Sequence, residues 1–140
     1  MWSYTPERAF LALLTHDADL YQSIEKAFAA EEVQMGFFFA IGAVKNARIS
    51  FYDQHQKTYL PLFIDRPAEI LSCMGNMSLL DGKPFVHVHI TLGFEDGSTA
   101  GGHLMEGTII YACELHAMVL KGKALERHFD STTGLKLWRD

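Results

Sequence analysis

At 140 residues, 49% hydrophobic and 21% charged, the chain has the composition of a compact globular domain, not of a disordered or fibrous segment. Its net charge is −5, its twelve Lys and Arg are scattered from Arg8 to Arg139, and only Lys121, Lys123 and Arg127 are grouped; direct nucleic-acid binding is therefore disfavoured. The start lacks a charged region followed by an apolar stretch and a small-residue cleavage site, and no apolar run approaches the roughly 20 residues of a spanning helix, so neither a secretory signal nor a membrane span is expected.

In chain order, residues 10–14 read as a first strand. Asp17 or Asp19 can cap a helix running to about Glu32, with Leu20, Ile24, Ala27 and Phe28 on one stripe. Beyond Met35 the pattern turns to short strands over 36–44, 47–52, 58–64, 69–79, 85–94, 99–105 and 109–120. Pro61 and Pro67 demote their neighbours to edges or turns, and Asp81-Gly82-Lys83-Pro84 and Glu95-Asp96-Gly97 mark reversals. One helix followed by consecutive strands, without repeats or linkers, predicts a single α+β domain over residues 1–140, an antiparallel sheet with one N-terminal helix packed on it. Cys73 and Cys113, each embedded in an apolar strand pattern, read as buried reduced thiols, which suits a cytoplasmic address.

Three of the seven histidines fall in the hairpin formed by residues 85–94 and 99–105. Side chains alternate faces along a strand, so His87 and His89 share one face while Val86, Val88, Ile90 and Leu92 share the other, which is core. The loop decides whether His103 joins them. A two-residue Asp96-Gly97 loop sets His103 opposite Ile90 on the core face. A three-residue loop of Glu95, Asp96 and left-handed Gly97 instead pairs Phe94 with Ser98, Val88 with Leu104 and His89 with His103. Three imidazoles could then converge on one ion. Three neutral nitrogens without a thiolate favour zinc among the divalent transition metals, and three protein ligands leave a position open for water or a small-molecule ligand. The alternative is a row of surface or subunit-interface histidines with no ion.

These residues resemble the plant-and-prokaryote conserved family. Its recurring features read here as Ala40-Ile41-Gly42-Ala43-Val44, Glu69-Ile70-Leu71-Ser72-Cys73-Met74-Gly75-Asn76, His87-Val88-His89 and Gly101-Gly102-His103-Leu104-Met105-Glu106-Gly107. The resemblance implies an α+β domain, a homotrimer and, as in prokaryotic members, a zinc held by His87, His89 and His103. Plant members add Arg-Gly-Arg-Pro segments that enter the DNA minor groove, and that tetrapeptide does not occur in this sequence. The family's fold is also similar to that of acetolactate decarboxylase, a fold-level analogy that assigns no reaction.

A zinc centre that performs chemistry recruits a carboxylate as ligand, supporting partner or general base. Glu69 and Glu114 are the candidates, because each interrupts an apolar strand; the alternative is pairing with a cation such as Arg48, or simple exposure. Glu106 is assigned to the face opposite His103, in a structural role. His16, His55 and His128 are read as surface residues, and His116 as ambiguous between core and metal site. Two functions follow: a zinc-dependent lyase or hydrolase for a small carbonyl or oxo-acid molecule, or a DNA-associated regulatory or binding module whose metal is structural.

Overall fold

The computed structural model describes residues 1–139. Alternating apolar residues carry the chain into β1 (Thr5–Leu14), α1 (Leu20–Ala30), β2 (Gly36–Asp53), β3 (Thr58–Ile64), β4 (Ala68–Leu80), β5 (Lys83–Gly93), β6 (Thr99–Leu104), β7 (Ile109–Lys121), β8 (Glu126–Phe129) and β9 (Lys136–Arg139). Among the described residues the strands form one sheet ordered β1-β7-β2-β6-β5-β4-β8-β9, with β3 on the side of β2. Its pairings are antiparallel except for β4 with β8. A mostly antiparallel sheet with a single helix matches the expected architecture.

The largest departure is β2. Two strands were expected at 36–44 and 47–52, because Lys45 and Asn46 interrupt the apolar pattern. The chain stays extended and bends through register shifts at Ala43/Val44 and Val44/Asn46; extra residues of this kind bend a strand without ending it. The first half of β2 pairs with β4 and β7, the second half with β3 and β6. The sequence of pairings β2-β6-β5-β4 therefore returns to β2 and closes on itself.

Inside that closure lie Phe38, Ala40, Ile49, Cys73, Met77, Val88, Ile90, Leu92 and Leu104, all at most 2% exposed. Each large aliphatic or aromatic side chain so buried contributes roughly 1.5–3 kcal/mol. The helix adds Leu20, Ile24 and Phe28, and the Phe28 ring meets those of Phe10 and Phe38 at 5.5 Å. Asp19 is the cap residue, its carboxylate accepting from the Gln22 amide at 2.9 Å. Cys73 and Cys113 are free and buried, as expected. Pro61 sits in β3, an exposed edge strand.

The expected strands end at residue 120, and residues 126–129 and 136–139 add two short ones. Each spans four residues, too few for a period-2 pattern to stand out. No helix among the described residues is long and apolar enough to cross a membrane.

The outer sheet face is apolar as well. Leu11, Leu13, Phe37, Phe39, Ile41 and Met74 are between 48% and 80% exposed. The ladder registers place Leu11, His116, Phe39, Met74, His89 and His103 in one row across successive strands, with Phe39 stacked on His116 at 4.7 Å. The histidine hairpin thus ends an exposed apolar row.

Candidate metal centre

The β5–β6 hairpin has the three-residue loop. The Phe94 amide donates to the Ser98 carbonyl and the Gly97 amide to the Phe94 carbonyl, both at 2.9 Å. Gly97 takes φ 78°, a left-handed conformation open to glycine at little cost. The resulting register puts His89 directly opposite His103 and leaves Val88, Ile90 and Leu104 in the core. His103 is pinned a second time, by its pairing with Ser50 of β2.

The three rings converge. Their centroids are 5.1 Å (His87–His89), 5.3 Å (His87–His103) and 5.5 Å (His89–His103) apart, and one ligand atom from each lies within 4.8 Å of the others. Nitrogens bound about 2.0–2.1 Å from a tetrahedral ion stand roughly 3.3 Å from one another, so small side-chain rotations close the cluster. Burial holds the His87 and His103 imidazoles down to about 4, so both present free lone pairs at neutral pH. His103 Nδ1 is buried and has no hydrogen-bond partner among the described residues. An orphaned buried ring nitrogen is costly unless something takes its lone pair or proton. On these observations the residues fit a divalent ion.

Close approach of β4 supports the cluster. Asn76 and Met74 stand opposite His87 and His89, with Gly75 between them. A Cβ on Gly75 would lie 2.3 Å from the His87 carbonyl oxygen and 2.5 Å from Cζ of Phe38. Gly75 is thus the physical condition for the two strands to meet beside His87.

A cleft of about 420 Å³ opens beside His103, lined by Tyr21, Ser50, Tyr59, Phe85, Leu104, Met105 and Glu106. The Tyr59 ring lies 5.1 Å from that of His103, and the buried Ser50 Oγ has no hydrogen-bond partner among the described residues. Glu106 was assigned to the opposite face. That assignment assumed the strand continues, but β6 ends at Leu104 and the following turn swings Glu106 into the cleft wall, where Gln22 donates to it at 3.3 Å. A larger cavity of about 570 Å³ lies at the loop end of the hairpin, between Lys45, Leu71, Phe94 and Tyr111, and none of the three histidines borders it.

Glu69 and Glu114 are exposed and share a shallow depression with Leu13, Ile41 and Leu71 on the outer sheet face. Glu69 pairs with Gly93, four residues along β5 from His89 and hence roughly 13 Å away along the strand. Within one chain the fold brings the two carboxylates to each other, not to the histidines. Arg48 pairs with Asp65 instead. His16, His55 and His128 are exposed, and His116 stacks on Phe39. Ser50 and Tyr59 escaped the sequence reading, because each reaches His103 through long-range strand pairing.

A closed antiparallel sheet capped by one helix, with three imidazoles converging on its outer face, is a small β-rich domain with a three-histidine cluster. The family model of the Plants and Prokaryotes Conserved (PCC) domain matches residues 1–121, and the chain belongs to that family. It is similar to a metal-containing protein from Archaeoglobus fulgidus, at 39% identity and a TM-score of 0.95, covering 100% of this chain and 99% of that one. A plant- and prokaryote-conserved protein from Pyrococcus horikoshii is 31% identical with a TM-score of 0.92, covering 100% and 96%. Acetolactate decarboxylase from Bacillus subtilis subspecies spizizenii, at 14% identity and a TM-score of 0.59 over 89% and 56% of the two chains, shares the fold alone. Among curated proteins, the bifunctional protein GlmU of a Synechococcus species is 31% identical over 132 residues, covering 91% of this chain and 20% of that protein. This chain therefore spans about a fifth of that relative's length.

Proposed function

We propose that His87, His89 and His103 hold one divalent transition metal, zinc by preference, and that the protein binds or transforms a small carbonyl or oxo-acid molecule in the cleft beside it. The observation that carries the reading is the convergence of three imidazoles, one with an orphaned buried nitrogen. The metal content attributed to the Archaeoglobus relative supports it.

Such an ion supplies Lewis acidity and lowers the pKa of a bound water towards about 7. The chain's own residues do the rest. His89 and His103 are fixed by their ladder pairing, His103 is braced by the Tyr59 ring, and Leu104, Phe85 and Tyr59 give the adjoining cleft apolar walls. Glu106 is the carboxylate on the cleft wall and the candidate to carry a proton there. A catalytic part for Glu69 or Glu114 requires that a second copy bring its outer sheet face against the cluster. The homotrimer we propose, seated on the exposed Leu11, Leu13, Phe37 and Phe39, is the assembly that does so.

Elemental analysis of purified protein tests the metal. One zinc per chain is expected, and its loss in His87→Ala and His89→Ala; a wild-type protein that takes up no metal on refolding with zinc refutes the reading. Turnover of 2-hydroxy-3-oxo acids that stops with chelator marks an enzyme. Salt-dependent DNA retention without turnover marks the alternative module, for which the net charge of −5 offers no support.

A further inference from the structure

The cleft beside His103 carries charge of one sign. Among the described residues that line it, Glu106 is the one carboxylate and no Lys or Arg joins it. Glu106 accepts from the neutral Gln22 amide at 3.3 Å and forms no ion pair among the described residues. Tyr21 of α1 lines the same cleft, and one helical turn further along stands Glu25, also without an ion pair among the described residues. Burial, with the Glu106 and Asp19 charges adding to it, raises the Glu25 carboxyl above its ordinary range. The Tyr21 phenol is pushed up as well, by burial first and then by Glu25 and Glu106. One end of the cleft is thus a negative pole to which the fold supplies no counter-charge.

These carboxylates do not gather three ligand atoms around a point as a metal site does; among the described residues the histidine trio is the one such group. The pole therefore suits an organic cation. Tyr21, Tyr59 and Phe85 line the cleft with aromatic rings, and aromatic faces attract an ammonium group. A second, independent observation lies at the histidine end. Ser50 lines the cleft beside His103, is 3% exposed, and its hydroxyl has no hydrogen-bond partner among the described residues. A buried hydroxyl left unpaired costs free energy that an oxygen-bearing ligand recovers. The two ends call for different groups on one small molecule, and a cleft of about 420 Å³ has room for it.

We propose that this cleft takes a small amino alcohol or amino ketone, with its ammonium group against Glu106 and the aromatic walls and its oxygen beside Ser50. The proposal rests on the reading of His87, His89 and His103 as the ligand-binding end of the cleft, and it names, among small oxygen-bearing molecules, those with a positive charge. Glu106 selects the cation and turns carboxylates away; Ser50 reads the oxygen.

Three compounds that share a carbon skeleton and a central hydroxyl but differ in charge test this: 1-amino-2-propanol, 1,2-propanediol and lactate. Each is titrated into the metal-free full chain, where no ion competes for the carboxylate, and the amide NMR shifts of Gln22 and Gly107 are followed. The amine is expected to bind at least about threefold more tightly than the diol, the scale of an exposed ion pair, and lactate to bind weakest. Glu106 is exposed, so Glu106→Gln is expected to fold and to level the amine with the diol. Ser50→Ala is expected to weaken the amine and the diol alike, while the ligand-free protein melts no lower than the wild type, because the hydroxyl removed had no partner. No shift with the amine, equal binding of amine and diol, lactate as the tightest of the three, a preference kept by Glu106→Gln, or amine and diol binding untouched by Ser50→Ala overturns the proposal. The expected charge order in a chain that takes up no zinc refutes the metal reading and leaves this one standing. Zinc uptake without that order does the reverse.

Discussion

Replacing Gly75 by alanine isolates the contact that lets β4 approach β5 beside His87. The added Cβ meets the His87 carbonyl oxygen at 2.3 Å and Phe38 Cζ at 2.5 Å, each about 1 Å short of ordinary van der Waals contact. Neither neighbour is the free end of a flexible chain. One is backbone and the other a ring 2% exposed, so the strand itself must shift. Overpacking of this kind costs about 1–3 kcal/mol, which for a domain of this size lowers the melting temperature by roughly 4–12 °C. The shift falls on a metal ligand, and metal sites tolerate only about 0.2 Å of error in ligand distance. Zinc affinity is therefore expected to fall by about 10–100-fold, the usual cost of disturbing the support of a ligand. Thermal melts of the metal-free protein and zinc competition against a chromophoric chelator measure the two effects separately. Gly97→Ala is the control: its φ of 78° makes it strained by about 1 kcal/mol, but nothing lies within 4 Å and the site is untouched. A Gly75→Ala protein that melts within about 1 °C of the wild type and keeps its zinc affinity refutes the reasoning.

Acid should destabilise the metal-free protein for a defined reason. Burial keeps His87 and His103 neutral in the folded state down to about 4, against an ordinary value of 6.5, so between those values the unfolded chain binds more protons. Stability then falls as pH is lowered through that window, and His87→Gln with His103→Gln flattens the dependence; a urea midpoint constant from pH 7 to 4.5 contradicts this account. Light scattering is expected to give a mass three times 15.8 kDa, and Leu13→Glu with Phe39→Glu a folded species of one chain's mass. A wild-type protein that is monomeric at micromolar concentration removes the trimer from the proposal.

The hairpin was legible because the relevant rules are local. Alternation put His87 and His89 on one face, and of the two loops open to the sequence the structure takes the three-residue one, whose left-handed Gly97 brings His103 opposite His89. A cap at Asp17 or Asp19, which the structure assigns to Asp19, and an edge or turn at Pro61, which is an edge, came from equally local constraints, a side chain reaching its own helix end and an imide lacking an N–H. Glu106 was misplaced for the opposite reason: strand alternation was carried one turn past the end of β6.

Sequence alone determined the alternation of faces, the turn chemistry and the supply of imidazoles, because each depends on residues a few positions apart. Tertiary structure alone decided that β2 bends without breaking, that the sheet closes on itself, and that Ser50 and Tyr59 stand beside His103 while Glu69 and Glu114 do not. Those placements depend on which distant strands pair and in what register. Register is set by the whole core at once: a one-residue slip in any ladder turns a buried side chain outward, and no short window of sequence contains that constraint.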